Sequence, residues 1–192
     1  MINSEDTTQL ISLSRDCEVI SVPYGDKEIL KEGTEVQIMQ ALGGSYTVYT
    51  VEGMFRINGT NADAIGKEVE KPPSLPENIT DDEFEEKVWD QMKTVFDPEI
   101  PINVVDLGLI YDCRLNKSED DNFIIEVDMT LTAPGCGMAD VLVADIQERV
   151  EMMPRVVSVK VELVLDPPWS MEMMSEAARL EAGLISSQKH FI

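Results

Sequence analysis

The chain reads as α+β: a small N-terminal β barrel-like domain, then a compact α-β-β-α-β-α domain with a mixed sheet. Three observations predict this. Short β-rich stretches broken by glycine and asparagine fill residues 18–58. A charged, proline-bearing stretch follows over residues 67–78, with Pro72-Pro73 and Pro76. Beyond it, apolar residues recur first at helical and then at strand spacing, in alternation.

In the first region, Glu18 to Val22, Lys27 to Leu30, Glu35 to Gln40, Tyr46 to Val51 and Met54 to Asn58 are β-rich. Asp26, Gly33, Gly43-Gly44, Gly53 and Asn58-Gly59 separate them as turn residues do. Thr47, Tyr49 and Val51 alternate with Val48 and Thr50, the period of a half-buried strand. Five strands within one small domain, residues 1–66, suit a curled or barrel-like antiparallel sheet. Residues 67–78 cannot join a helix or an inner strand because of their prolines, and read as a semi-rigid linker.

The second domain, residues 79–185, opens on Thr80-Asp81-Asp82-Glu83, the Thr-x-x-Glu pattern of a capping box. Phe84, Val88, Met92 and Val95 follow at helical spacing. After the loop Asp97-Pro98-Glu99-Ile100-Pro101 a strand is expected over Val104 to Leu115, and its antiparallel partner over Phe123 to Thr132. Ala139, Leu142, Val143, Ile146, Val150 and Met153 make one helical stripe. Val157, Val159, Val161, Leu163 and Leu165 alternate with Ser158, Lys160 and Glu162, a strand that Asp166-Pro167-Pro168-Trp169 ends. Ser170 is expected to cap a last helix running to about Glu181 and closed by Gly183, leaving residues 186–192 as a tail.

Composition excludes several function classes. The net charge is −22, from 37 acidic and 15 basic residues among 192, so the surface repels phosphate backbones and anionic lipid. Neither nucleic acid nor a membrane is an expected partner. No apolar run reaches the ~20 residues of a membrane-spanning helix, and the acidic start Met1-Ile2-Asn3-Ser4-Glu5-Asp6 is unlike a secretory signal, which makes the cytoplasm the expected location. Three cysteines, Cys17, Cys113 and Cys136, with no C-x-x-C, argue against a disulfide framework and a zinc ribbon. The single histidine, His190, removes histidine-based catalysis from consideration.

The chemistry concentrates at Cys136. A β-type run stops at Pro134-Gly135, and a helical stripe starts just after Gly137, so the thiol is expected at a helix N-terminus. Free N–H groups and the helix dipole there favour the thiolate, which is the nucleophile and the metal ligand. Cys17 and Cys113 lie in strand-like sequence and read as buried small hydrophobes. Asp97 and Glu99 flank a proline at the end of the first helix, where carboxylates serve as hard metal ligands or general bases; Asp97 reads equally as a turn stabiliser. Asp128, Thr130 and Thr132 alternate along the strand leading to Cys136, where a threonine hydroxyl could donate to a thiolate or an anion. Trp169 reads as a wedge under the last helix, or as a partner's anchor.

Three segments together resemble one known family. Asp97-Pro98-Glu99-Ile100-Pro101 through Val105-Asp106-Leu107-Gly108-Leu109 is similar to the opening signature of the PaaD-like metal–sulfur cluster biosynthesis family. Thr130 to Met138 resembles its cysteine motif, and Asp166-Pro167-Pro168-Trp169-Ser170 with the Met-rich stretch after it completes the pattern. The N-terminal β domain, with Leu42-Gly43-Gly44-Ser45-Tyr46, resembles the branch linked to iron–sulfur cluster assembly. The resemblance implies an auxiliary maturation factor rather than the main assembly scaffold, more in keeping with a non-enzymatic role, with Cys136 as the functional cysteine and Asp97, Glu99 and Thr132 lining its pocket. It implies transient iron or an Fe–S cluster at Cys136, and as partners Fe–S assembly proteins and apo-client proteins. Since clusters are usually held by four thiolates, a second subunit, a carboxylate such as Asp97 or Glu99, or an external thiol would complete the ligation. A possible homodimer would bring two Cys136 thiolates together. A metal-free adaptor of the assembly machinery and a thiol or persulfide enzyme are the alternatives.

Overall fold

The computed structural model describes residues 10–188, except Glu70, Glu77, Pro98, Glu119, Asp120, Pro134 and Cys136; residues 184–188 are described by backbone alone. Cys136, the rigid Pro98 between the two carboxylates, His190 and the end of the expected tail therefore lie outside the described residues. The chain divides between Lys71 and Pro72 into two compact units, each treated by itself. Among the described residues no helix is long and apolar enough to cross a membrane.

The first unit is one antiparallel sheet. It comprises β1 (Leu10–Ser12), β2 (Cys17–Ser21), β3 (Lys27–Leu30), β4 (Glu35–Leu42), β5 (Ser45–Thr50) and β6 (Gly53–Ile57), in the order β1-β4-β5-β6-β2-β3. Gly43 and Gly44 join β4 to β5 with φ of 54° and 73°, the pair of left-handed residues that a two-residue hairpin matching strand twist requires. Val19, Val36, Ile38, Val48, Phe55 and Ile57 are buried along the inner face.

The expected barrel-like closure does not appear: among the described residues the sheet is open, with β1 and β3 as its ends. These end strands have only three and four residues. Two backbone bonds extend the β1–β4 pairing past the strand ends, Leu13 N–H to the Thr34 carbonyl and Gly33 N–H to the Leu13 carbonyl, each 2.9 Å. A 3₁₀ helix that periodicity does not reveal, Gly59–Ile65, adds Ala64 and Ile65 to the core. Asn58 caps it by accepting the Thr60 N–H, and Gly66 ends it at φ 69°.

The second unit contains α1 (Asp81–Met92), β7 (Ile110–Lys117), β8 (Phe123–Met129), α2 (Ala139–Glu151), β9 (Val156–Leu163) and α3 (Glu176–Gln188). The sheet is mixed, β7 antiparallel to β8 and β8 parallel to β9. The fold is thus α+β, with a large antiparallel sheet and a small mixed one. The capping box is present as read: Thr80 Oγ1 accepts the Glu83 N–H, and Glu83 Oε2 accepts the Thr80 N–H at 2.9 Å. Phe84, Val88 and Met92 are wholly buried, the inner face that their spacing predicts. From α2, Leu142, Ile146 and Val150 join the same core, beside Ile125, Val127 and Met129 of β8.

Two expected elements are corrected. The strand expected from Val104 starts only at Ile110, because residues 103–108 form a turn that Asn103 organises. Val104, Leu107 and Leu109 are buried there, so an apolar run that reads as strand is a coiled segment pinned into the core. Ser170 starts only the 3₁₀ turn Met171–Met173, and its side chain makes no cap bond. The Ser175 hydroxyl accepts the Ala178 N–H at 3.2 Å at the start of α3, which runs through Gly183 to Gln188.

Candidate functional site

Asp97 follows directly on a backbone bridge between Phe96 and Asn103, and its own N–H bonds the Ile102 carbonyl at 3.1 Å. Its Oδ1 accepts the N–H groups of Glu99 and Ile100, at 2.9 and 2.8 Å. This is an aspartate-closed turn, so the stabilising role is real. The side chain is nevertheless buried, and burial raises its pKa against the pull of the two N–H groups, with the Glu99 charge adding to the rise. Glu99 itself is exposed.

The strand leading toward Cys136 ends at Met129 rather than Thr132. Asp128 is committed elsewhere: Arg114 grips its two carboxylate oxygens at 2.7 and 2.9 Å and holds its pKa below the usual range. Thr130 is buried, with its N–H on the Leu109 carbonyl at 2.8 Å. Thr132 is half-buried in the bend that follows. Among the described residues no hydrogen bond or ion pair joins Asp97 or Glu99 to Thr132, and Cys136 lies outside those residues. Nor is any group of three or more His, Cys, Asp or Glu among them arranged to hold a metal ion. The other two cysteines are poor ligands as they stand. Cys17 and Cys113 are buried, and desolvation raises both thiols, Cys113 to about 12.

Sequence reasoning missed a strap, residues 164–175, stitched onto the turn 103–108 and the start of β7. The Trp169 indole N–H donates to the Leu107 carbonyl at 2.8 Å, the Tyr111 hydroxyl to the Pro167 carbonyl at 2.7 Å, and the Ser175 N–H to the Asp106 carbonyl at 2.9 Å. Asn103 and Asp106 clasp each other by side chain and backbone, at 2.6 and 2.8 Å. Trp169 is therefore a tie to the turn before β7 rather than only an apolar wedge. The signal available in sequence was its indole donor, since a half-buried tryptophan N–H usually finds a carbonyl.

Asp97 yields a prediction with a sign. A carboxyl whose folded pKa is raised favours folding while protonated, and that contribution is lost as pH rises through the raised value. Asp97→Asn keeps the Oδ1 acceptor without the buried charge, so its stability relative to wild type should improve as pH rises from about 4 to 7. Asp97→Ala leaves two N–H groups without their acceptor and should cost about 1–2 kcal/mol at either pH. Urea titrations of the three proteins at both pH values read this out.

Comparisons with known proteins add to this geometry. The chain matches the family model described as iron–sulfur cluster assembly protein over residues 85–163, inside the second unit. It is 46% identical over 101 residues to an Fe-S protein maturation auxiliary factor of Porphyromonas gingivalis, covering 53% of this chain and 92% of that one. It is 36% identical over 90 residues to the Fe-S protein maturation auxiliary factor SufT of Staphylococcus aureus, covering 47% and 98%. Among solved structures it is similar to a domain of unknown function, DUF59, from Bacillus anthracis, at 36% identity and a TM-score of 0.46, covering 53% of this chain and 93% of that one.

Proposed function

Since the chain belongs to the iron–sulfur cluster assembly family, we propose that it is an auxiliary factor in Fe–S protein maturation, carrying or targeting iron or a cluster to apo-proteins through the Cys136 thiolate. The observation that carries this is the 46% identity to a relative of that name across 92% of its length. Iron or the cluster is cargo in this reading. Clusters are commonly held by four thiolates. Cys17 and Cys113 are buried with raised pKa values, which leaves Cys136 as the one thiol of the chain placed by its sequence context to act. Incomplete ligation suits transfer better than storage.

Asp97, Glu99 and Thr132 complete the proposed site. The two carboxylates add hard oxygen donors, and the threonine hydroxyl donates to a thiolate. Fe–S assembly proteins and apo-clients are the partners, in the cytoplasm. The net charge of −22 favours a second reading, a metal-free adaptor whose acidic surface docks basic partners.

Anaerobic reconstitution of wild type and Cys136→Ala with ferrous iron and sulfide separates the two readings. Visible absorption and delivery to an apo-enzyme are the readouts. The carrier reading expects colour and delivery in wild type and background levels in the variant. Full delivery by Cys136→Ala overturns it, and absence of colour in both proteins with client binding intact favours the adaptor.

A further inference from the structure

β9 ends the sheet of the second unit: β8 is its partner on one side and no strand pairs with the other among the described residues. The Val164 N–H bonds the Met129 carbonyl at 2.8 Å, which sets the alternation along the strand. The backbone groups of Ser158, Lys160, Glu162 and Val164 therefore face β8, and those of Val159, Val161 and Leu163 face outward, while the pairing with β8 shifts register at Val157. This free edge is eight residues long and flanked by exposed apolar side chains, Val157 at 57%, Leu163 at 42% and Leu165 at 58%. A long, apolar open edge is a template for another strand.

The sequence of β9 is complementary to itself. In an antiparallel pairing with a two-fold axis at Val161, the outward groups of both copies oppose one another along the ladder. The core-side pairs are then Val161 with Val161 of the second copy and Val159 with Leu163, so apolar side chains meet apolar ones along the ladder. On the polar face Lys160 stands opposite Glu162 of the second copy, twice by symmetry, in the close pairing where side chains interact most. Neighbouring registers of the same parity put the axis at Lys160 or at Glu162, setting like charges face to face. Registers of the other parity oppose inward-facing backbone groups to outward ones. Axes at Val159 and Leu163 keep the parity but leave Lys160 and Glu162 without a charged partner in β9, so only the Val161 axis pairs opposite charges within the strand.

We infer that the β9 edge is a homodimer interface, two copies of this chain pairing their β9 strands antiparallel about Val161 with Lys160–Glu162 contacts across the axis. This goes beyond the maturation role, since it rests on one strand remote in sequence from Asp97 and Cys136. Lys160 and Glu162 of one copy already approach to 2.6 Å, so the side chains need only exchange partners.

Light scattering and sedimentation equilibrium on the full chain, at physiological salt and up to about 100 µM, test it. Wild type is expected at twice the monomer mass. Lys160→Glu and Glu162→Lys each place like charges opposite one another and should weaken the dimer by about tenfold or more. The double variant Lys160→Glu with Glu162→Lys restores opposite pairs and should restore the dimer. Melting curves confirm that each variant is folded. A wild-type chain that is monomeric throughout overturns the inference, as do single swaps that remain fully dimeric or a double swap that stays monomeric.

Discussion

Replacing Gly108 by alanine is expected to cost about 2–5 kcal/mol of stability in the second unit. Gly108 has φ 70°, in the left-handed region where a side chain is disfavoured by about 1–2 kcal/mol. A Cβ built there would overlap the Met173 carbonyl oxygen and stand 2.6 Å from its carbon. Both are backbone atoms of the strap, which cannot swing aside as a flexible side chain would. Trp169 on Leu107 and Ser175 on Asp106 hold the strap down close by. Trp89 and Trp169 are the two tryptophans of the chain and both lie in the second unit, so urea unfolding followed by tryptophan fluorescence reads this unit alone. A loss below about 1 kcal/mol would mean that the strap yields, and that it does not brace the turn before β7.

Phe84→Ala should cost about 3–5 kcal/mol by the same measurement. Phe84 is wholly buried, and its ring stacks on Phe123 with centroids 4.6 Å apart and planes 15° from parallel. The Arg155 guanidinium lies 5.3 Å from one centroid and 5.0 Å from the other, so truncation also removes part of a cation–π contact. Arg155 is further tied to Asp121 at 2.7 Å, so it stays beside the cavity rather than filling it. Phe84→Leu retains most of the volume and should cost clearly less. Equal losses for alanine and leucine would show that the ring's stacking, and not the filled space, carries the energy.

Much of the fold was legible because it rests on short-range rules. The Thr80–Glu83 box, the Phe84–Val88–Met92 face and the Gly43-Gly44 turn each follow from residues a few positions apart, and each is present. The family was equally legible from motifs, and the relationship to Fe-S maturation factors bears it out. Where a rule needed a distant partner, the reading slipped. Val104 to Leu109 is apolar because it is buried, and burial alone does not separate a strand from a pinned turn. Ser170 and Ser175 are both good caps by residue type, and the bond from the Ser175 N–H to Asp106, 69 positions earlier in the chain, accompanies a helix that starts from the second. Of the candidate site, the turn-closing part of Asp97 was readable from its Asp-Pro context. Its burial was not, since that depends on what packs over it.

By itself the sequence determined the α+β class, the order of elements in the second unit, the acidic surface and the membership of a cluster-assembly family. These rest on periodicity, capping chemistry, net charge and contiguous motifs, which are local properties of a chain. Only the tertiary structure decided that, among the described residues, the first sheet is open and β9 has one unpaired edge, that residues 164–175 strap the turn before β7, and that Asp128 belongs to Arg114. Each of these depends on contacts between residues far apart in sequence, and the free energy of such contacts exists only once the chain has closed on itself.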